Sequence, residues 1–175
     1  QHAAVNDLGV VNAHFDKRTQ VAKYAKKYAN PAYRWQDNTR TKAVEKLFPN
    51  YFTGFKNLHA PAAYRKQAFE EVWAAEPELL ARTTSHRFRS ADDVNQWVCL
   101  WWQVASGQFA PFDVDNVVDS VRADNAARLC ALIRAQEHDM ACINDPEGDV
   151  DFEALAAELR TAFATILPEK SGFER

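Results

Sequence analysis

The chain has 175 residues, of which 47% are hydrophobic and 26% charged, and its formal net charge is −3. A chain of this length and composition can bury a core of the kind found in globular proteins. The weak negative charge gives no general reason to expect a nucleic-acid partner, and no apolar run approaches the roughly 20 residues that a membrane-spanning helix requires.

Residues 1–30 form a lead-in segment with a basic helix. Residues 1–16 show no clear hydrophobic period, so Asn6-Asp7-Leu8-Gly9 predicts a turn before a short strand at Val10-Val11. Residues 17–28 then show helical spacing, in a stripe made of Val21, Tyr24, Ala25 and Tyr28. The opposite face, which we call the basic stripe, carries five basic side chains: Lys17, Arg18, Lys23, Lys26 and Lys27. This face is either solvated or a contact surface for an anionic glycan, nucleotide or membrane.

The middle of the chain predicts two further helices. The first runs from Thr39 to Phe48 and ends at Pro49-Asn50, with three inward side chains: Val44, Leu47 and Phe48. Residues 51–55 could be extended. Pro61 predicts the first turn of a helix to Ala74 that buries Phe69 and Trp73. His59 would then lie just before a helix N-terminus, where backbone N–H groups favour an anion.

The second half alternates predicted helices with short strands. Ser90 and Asp93 form an S-x-x-D cap for a helix that ends near Gly107 and has an apolar stripe: Val94, Trp97, Val98, Trp101 and Ala105. The following elements are a strand within 113–121, a helix capped by Asp124 or Asn125 and ending near Ala135, a buried strand at 140–143, and a last helix over 151–166. The buried stripe of that last helix comprises Phe152, Leu155, Leu159, Phe163 and Ile166. These elements predict a helix-rich α/β fold in one domain.

The cysteines and the first residue bear on the origin of the chain. Cys99, Cys130 and Cys142 are an odd number within apolar runs, which is typical of reduced buried thiols and of a cytosolic protein. The chain opens on Gln and carries no signal peptide, which indicates a fragment or a processed product.

Three polar clusters stand out because the helices have no structural need for them. They are Asn57-Leu58-His59-Ala60-Pro61, the segment from Thr84 to Asp93, and Cys142-Ile143-Asn144-Asp145. Together they contain His, two Arg, Asn and carboxylates. This set of side chains suits the binding and splitting of a phosphate ester.

Each cluster also has a structural interpretation. Arg87 and Arg89 could clamp a pyrophosphate, since alternation in an extended segment would place both guanidinium groups on one side; alternatively they pair with carboxylates such as Asp92 and Asp93. His59 suits a proton acceptor because the ordinary histidine pKa is about 6.5, yet it could be a hydrogen-bonded structural group. The segment 144–145 could lie at a ligand-binding strand end or could form an Asx turn.

The order of these motifs resembles the C-terminal half of the Stealth family. His59 and Pro61 match the His-x-Pro element of its third conserved region, and the segment from Thr84 to Asp93 matches the arginine-containing element of the same region. The segment from Cys142 to Asp145 matches the C-x-N-D element of the fourth region. The resemblance extends over 31–174, with Trp35 and Asn38 in the lead-in to the third region and the closing element at 168–174.

The resemblance implies a fold, an activity and a set of site residues. The chain would be the C-terminal half of a glycosyltransferase-like catalytic domain that transfers a hexose-1-phosphate from a nucleotide-diphospho-sugar, such as UDP-N-acetylhexosamine, to a glycan hydroxyl in capsule or exopolysaccharide synthesis. Its expected catalytic residues are His59, Arg89 and Asp145. The expected substrate contacts are Arg87, Asn144, Asn38 and His86. Asp145 would also hold Mg²⁺ or Mn²⁺, because amide and carboxylate oxygens are hard ligands.

The resemblance also implies that the chain alone is inactive. The first two Stealth regions, which contain an aromatic-Thr-Trp-Val strand and an acidic motif, are absent, so the N-terminal half of the same enzyme is an expected partner. The expected location is the cytoplasm, at the inner face of the bacterial membrane in peripheral association.

Two other functions remain open at the level of the sequence. One is a metal-dependent phosphoesterase that uses His59 and Asp145, and the other is a non-catalytic helical interaction module whose surface is the basic stripe. The transferase hypothesis requires His59, Arg89 and Asp145 to converge within about 10–12 Å in one cleft.

Overall fold

The computed structural model describes residues 2–30, 44–55, 62–112, 115–145 and 151–173. These residues form two compact units, an N-terminal unit that ends at residue 112 and a C-terminal unit that begins at residue 115. Helices dominate both units, and the described strands are one parallel pair in the C-terminal unit. The predicted helix-rich α/β class is therefore confirmed.

The N-terminal unit contains six helices among its described residues. In chain order they are α1 (His2–His14), α2 (Lys17–Lys23), α3 (Ala25–Tyr28), α4 (Lys66–Ala75), α5 (Pro77–Ser85) and α6 (Trp97–Ala105). A further helical turn lies at 44–47.

Helix α6 is the centre of this unit because α1 and α4 both pack against it. Val94, Val98, Trp101 and Ala105 are all buried, and Trp97 is half-buried, as the apolar period predicts. Trp101 stacks on Phe55 with 5.2 Å between ring centroids. Trp102 is also buried, and its Nε1 donates to Glu71 Oε2 at 2.8 Å. The tryptophans of α6 thus belong to the core, and the helix ends as predicted just before Gly107.

Helix α1 replaces the turn and strand predicted for residues 6–11, and that prediction was wrong. Asp7, Val10 and Val11 are buried on one side of α1, at helical spacing. The stripe was hidden because its first position holds a carboxylate instead of an apolar side chain. Asp7 Oδ1 accepts the backbone N–H of Asn95 at 2.9 Å. This tertiary contact stabilises a helix that the local helix propensity of the segment does not indicate.

Helix α4 starts later and buries a narrower stripe than predicted. Residues 62–65 are not helical, and the helix begins at Lys66. Ala68 and Val72 are buried, whereas Phe69 and Trp73 are exposed, Trp73 at 40% of its surface. The prediction that both aromatics are core residues was wrong, because they lie at the margin of the face that meets α6. Pro61 and His59 lie outside the described residues.

The basic helix and the segment after it also differ from their predictions. The helix breaks at Tyr24 into α2 and α3, and Lys17 pairs with Glu45 at 2.7 Å. Lys27 donates to the carbonyl of Gly107 at 2.5 Å, so part of the basic stripe is engaged within the unit. The three side chains expected inward at 44–48 are exposed: Val44, Leu47 and Phe48. In the 51–55 segment, Phe52 is buried without forming a strand.

The C-terminal unit contains β1 (Asn116–Ser120), α7 (Ala126–Ala135), β2 (Met140–Asn144) and α8 (Phe152–Ile166). The strands pair in parallel, with Asn116 opposite Met140 and Ser120 opposite Asn144. Helix α7 begins after Asn125, and α8 begins after Asp151, whose carboxylate caps the N–H of Ala154 at 3.0 Å. All four elements were predicted from the sequence.

Side-chain burial in this unit follows the predicted stripes in part. Ile143 of β2 packs against buried residues of both α7 and α8, including Leu129, Leu155 and Cys130. Leu159 is half-buried, but Phe152 and Phe163 are exposed. The prediction that these two aromatics belong to the buried stripe of α8 was wrong. Cys99 and Cys130 are buried free thiols as predicted, whereas Cys142 is half-buried. Among the described residues, no helix is long and apolar enough to cross a membrane.

Candidate functional site

The connection between α5 and α6 carries two arginines at its exposed tip. We call residues 86–93 the arginine loop. It borders an open cleft of about 410 Å³ that is lined by Arg87, Phe88 and Arg89 together with Ala3 of α1 and other loop residues. The side chain of Phe88 is 78% exposed. The backbone bends at Arg87 and Phe88 and is not a strand, so the predicted alternation does not apply, although both arginines line the same cleft.

The guanidinium groups of the loop are not neutralised by the neighbouring carboxylates. Among the described residues, neither Arg87 nor Arg89 has a carboxylate oxygen within 4.0 Å. Arg87 instead contacts the face of the Phe88 ring, whose centroid lies 5.4 Å from Cζ. The interpretation in which Asp92 and Asp93 neutralise the arginines therefore does not describe this arrangement. Two guanidinium groups that no carboxylate of the described residues neutralises, in an open cleft, are suited to an anion.

The Asp93 carboxylate instead forms hydrogen bonds within the arginine loop. Its Oδ1 lies 2.8 Å from His86 Nδ1, and its Oδ2 accepts the backbone N–H of Ser90 at 2.6 Å. The bond from Ser90, with that from His86, holds the pKa of the Asp93 carboxyl below its usual range. The Ser90–Asp93 pair predicted from the sequence does form, but α6 begins only at Trp97, whose N–H is capped by Asn95 Oδ1 at 2.7 Å.

Helix α1 supports the loop from a distant part of the chain. Asn6 Nδ2 donates to the carbonyls of Ala91 at 2.7 Å and Asp93 at 2.9 Å. Beside it, Asp7 binds the N–H of Asn95. Neither residue is evident as a supporting group from the sequence, because Asn6-Asp7-Leu8-Gly9 has the composition of a turn. Only the helical spacing of Asp7 with Val10 and Val11 could have indicated a buried polar face.

The second candidate position lies in the C-terminal unit, at the carboxyl end of β2. Asn144 is the last residue of the strand, Asp145 follows it, and both are exposed. The neighbouring strand β1 ends at Ser120, opposite Asn144 in the register, and the N–H of Val121 donates to the Asn144 carbonyl at 3.4 Å. The carboxyl ends of parallel strands are where α/β folds bind ligands. The predicted strand-end position of these two residues is confirmed.

These side chains alone do not enclose a metal ion. In the part of the chain that the structure describes, no three His, Cys, Asp or Glu side chains are grouped around a possible metal position. Asp145 and Asn144 could supply two oxygen ligands. Mg²⁺ commonly takes one or two carboxylates and completes its shell with water and substrate phosphates; a magnesium role for Asp145 stays a prediction.

The predicted site residues fall on different parts of the described chain. His86, Arg87 and Arg89 lie together in the N-terminal unit, and Asn144 and Asp145 lie together in the C-terminal unit. His59 and Asn38 lie outside the described residues. The roles of all seven residues and the convergence of His59, Arg89 and Asp145 stay predictions.

Comparison with known proteins places the arginine loop in a defined family region. The family described as Stealth protein CR3, conserved region 3, matches residues 58–100. The capsular polysaccharide phosphotransferase WcwK of Streptococcus pneumoniae is 26% identical over 98% of this chain and 50% of its own length. The receptor polysaccharide phosphotransferase WefC of Streptococcus gordonii is 29% identical over 99% of this chain and 51% of its own length.

A third relative, the exopolysaccharide phosphotransferase cps2G of Lactiplantibacillus plantarum, is 27% identical over 99% of this chain and 51% of its own length. The chain spans about half the length of the curated relatives that it matches. The resemblance predicted from the motifs is therefore confirmed: residues 58–100 match the third conserved region of the Stealth family.

Proposed function

We propose that this chain is part of a sugar-1-phosphate transferase of bacterial capsular or exopolysaccharide synthesis, which acts in the cytoplasm at the inner face of the membrane. The observation that carries the proposal is the pair of guanidinium groups in the cleft of the arginine loop, those of Arg87 and Arg89, which pair with no carboxylate of the described residues. That loop lies within the match to Stealth conserved region 3, in a chain whose relatives are named phosphotransferases.

The proposed reaction moves a hexose-1-phosphate from a nucleotide-diphospho-sugar, such as UDP-N-acetylhexosamine, to a glycan hydroxyl. The acceptor oxygen attacks the phosphorus that bears the sugar, and a new P–O bond forms. The bond from that phosphorus to the bridging pyrophosphate oxygen breaks, and the nucleoside monophosphate leaves. The anomeric C–O bond is retained, and the product is a phosphodiester. His59 would accept the hydroxyl proton as general base.

The arginines suit this reaction because phosphoryl transfer depends mainly on alignment and charge neutralisation. Arg89, together with Arg87, would bind the phosphate oxygens bidentately and stabilise the charge that develops on them. Asn144 would contact the acceptor or the metal, and Asn38 would contact substrate. Mg²⁺ or Mn²⁺, held by Asp145, would supply further charge neutralisation.

Product analysis tests the proposal in the protein that combines this chain with the first two Stealth regions. The purified protein is incubated with UDP-N-acetylhexosamine and Mg²⁺, with and without a glycan acceptor, and the products are followed by ³¹P NMR. A transferase yields a phosphodiester and a nucleoside monophosphate only when the acceptor is present. Acceptor-independent release of sugar phosphate or inorganic phosphate would identify a phosphoesterase instead.

A further inference from the structure

We propose that Asn6, His86 and Asp93 are positioning residues, which together form a clasp that holds Arg87 and Arg89 ready for a phosphate ligand. The clasp consists of the His86–Asp93 pair and the two hydrogen bonds that Asn6 donates to the carbonyls of Ala91 and Asp93. This inference rests on the proposed function, since it assigns the arginines to phosphate. It gives His86 a supporting role in place of the substrate contact that the sequence predicts.

An exposed loop that carries two long side chains needs support of this kind. An arginine loses rotamer freedom when it binds, and a mobile backbone adds a further entropic cost. Rigid support of the loop before the ligand arrives removes the backbone part of that cost, so the same contacts give a higher affinity. Loop residues Arg87 to Ala91 are exposed, so little side-chain packing restrains them. Hydrogen bonds at Ser90, Ala91 and Asp93 restrain the loop instead.

Asp93 supplies the closure between the two ends of the loop. It is 5% exposed, and both of its carboxylate oxygens have partners, His86 Nδ1 at 2.8 Å and Ser90 N at 2.6 Å. These bonds occupy both oxygens of the Asp93 carboxylate, and Asp93 forms no ion pair with either arginine. The clasp thus fixes the loop through a carboxylate that does not neutralise the guanidinium groups.

Asn6 supplies the anchor to a separate element. Its two amide hydrogens are shared between the carbonyls of Ala91 and Asp93, 85 and 87 residues away along the chain. Neither carbonyl belongs to a helix or strand, so without Asn6 both would depend on water. Helix α1 is held independently of this contact by Val10 and Val11 in the core, and it can act as a rigid support.

Pyrophosphate binding by the 175-residue chain tests the clasp, with titration calorimetry as the measurement. Asp93→Ala and Asp92→Ala form a matched pair, since each removes one negative charge beside the arginines and only Asp93 is bonded to the loop. Electrostatics alone predicts equal or tighter binding for both variants. We expect Asp92→Ala to bind at least as tightly as the wild type and Asp93→Ala to lose about tenfold in affinity.

Two further variants separate positioning from general loss of structure. Asp93→Asn keeps one acceptor for Ser90 and an amide that can donate to His86 Nδ1, so we expect it to restore most of the affinity lost in Asp93→Ala. Asn6→Leu removes both donors to the carbonyls of Ala91 and Asp93 without changing the charge, and we expect a loss of about tenfold as well. The ¹⁵N heteronuclear NOE of Arg87 and Arg89 should fall in both weakened variants, while the core amides of α6 keep their wild-type values.

The outcomes are distinct. Equal pyrophosphate affinities for Asp93→Ala and Asp92→Ala, or arginine-loop amides that are already mobile in the wild type, would overturn the clasp and leave the phosphate role of the arginines standing. If Asp93→Ala does not fold, Asn6→Leu decides: wild-type affinity in that variant overturns the inference. Failure of the wild-type chain to bind pyrophosphate would overturn the clasp alone, because the proposed function is decided separately, by product analysis of the protein that includes the first two Stealth regions.

Discussion

Asp7 is a carboxyl group placed inside the core of the N-terminal unit. None of its surface is exposed, and while Oδ1 accepts the N–H of Asn95, Oδ2 has no hydrogen-bond partner among the described residues. Burial raises the pKa of Asp7 from 3.8 to about 7, against the smaller opposing effect of the Asn95 bond. The folded protein therefore holds this proton at pH values where the unfolded chain has released it.

This pKa predicts that stability falls as the pH rises. Below pH 3.8 both states are protonated and burial of the neutral acid carries no ionisation penalty; the penalty grows as the pH rises and is complete above about 7. The gap between the two pKa values corresponds to at most about 4 kcal/mol. Asp7→Asn lacks this ionisation, so its stability relative to the wild type should rise between about pH 4 and about pH 8.

Urea unfolding of both proteins across that range measures the difference. Asp92→Asn is the control, because it removes an exposed carboxyl that no core residue covers, and its stability curve should run parallel to that of the wild type. Parallel curves for Asp7→Asn as well would show that Asp7 is not buried in its neutral form.

Arg89 offers a test of bidentate phosphate binding at the residue scale. Arg89→Lys keeps the positive charge but loses the planar pair of donors, so a bidentate contact should weaken and an exposed ion pair should barely change. In the proposed transferase we expect kcat/KM to fall about 100-fold, equivalent to about 2.7 kcal/mol.

Stability and a second arginine provide the controls for this variant. Arg89 is exposed, so the melting temperature should be unchanged, and Arg134→Lys on the exposed surface of α7 should leave both kcat/KM and melting temperature at wild-type values. Near-normal turnover of Arg89→Lys would remove Arg89 from phosphate binding. A fall in melting temperature that matches the loss of activity would assign it a structural role.

At the scale of elements, the C-terminal end of α6 depends on a glycine. Gly107 has a φ of +74°, in the left-handed region that side chains rarely adopt. A Cβ atom at this position would clash with the side-chain ring of Tyr24. The residue therefore ends α6 and lets the break between α2 and α3 pack closely against it.

Gly107→Ala should be strongly destabilising, by more than about 2 kcal/mol, because it combines backbone strain with a steric clash. Gly9→Ala is the matched control. Gly9 lies inside α1, where a Cβ atom would meet nothing within 4 Å beyond its own helix, and the change to alanine should stabilise the helix by roughly 0.5–1 kcal/mol. Denaturant titrations of the two variants should thus give opposite signs. Destabilisation by Gly9→Ala would contradict the helical assignment of residues 2–14.

Two tryptophans on helices that pack together show that the same apolar period can accompany different degrees of burial. Trp101 of α6 is 4% exposed and stacked on Phe55, whereas Trp73 of α4 is 40% exposed, although both follow an apolar period. Trp101→Ala should cost about 3–5 kcal/mol, and Trp73→Ala should cost roughly 1 kcal/mol or less. Chemical denaturation measures both. Similar costs for the two would mean that the α4 margin is covered more fully than the described residues indicate.

At the scale of the whole molecule, the candidate chemistry is divided between two units. The arginine loop belongs to a helical unit, and the strand-end pair Asn144 and Asp145 belongs to a small α/β unit. The chain matches about half the length of its curated relatives. The proposed phosphate role of the arginines and the proposed metal role of Asp145 accordingly belong to different units.

The elements predicted from the sequence are those whose pattern is local. The stripe from Val94 to Ala105, the helix that begins after Asn125 and the strand that ends at Asn144 each depend on residues a few positions apart, where the helical or strand period acts directly. The motifs that indicate the Stealth family are likewise short and contiguous. The sequence by itself was therefore sufficient for the fold class, for the family and for the position of the arginines on a connection before α6.

Tertiary structure alone decided the features that depend on distant residues. Asn6 meets Ala91 across 85 positions, and no local period encodes that contact. A buried Asp7 interrupts the apolar stripe of α1, so its helix is stabilised by packing and by the bond to Asn95 rather than by its pattern. The exposure of Trp73 likewise depends on the width of the face that α4 shares with α6. Periodicity identifies the side of a helix that turns inward, but only the packed neighbours determine how far that side is covered.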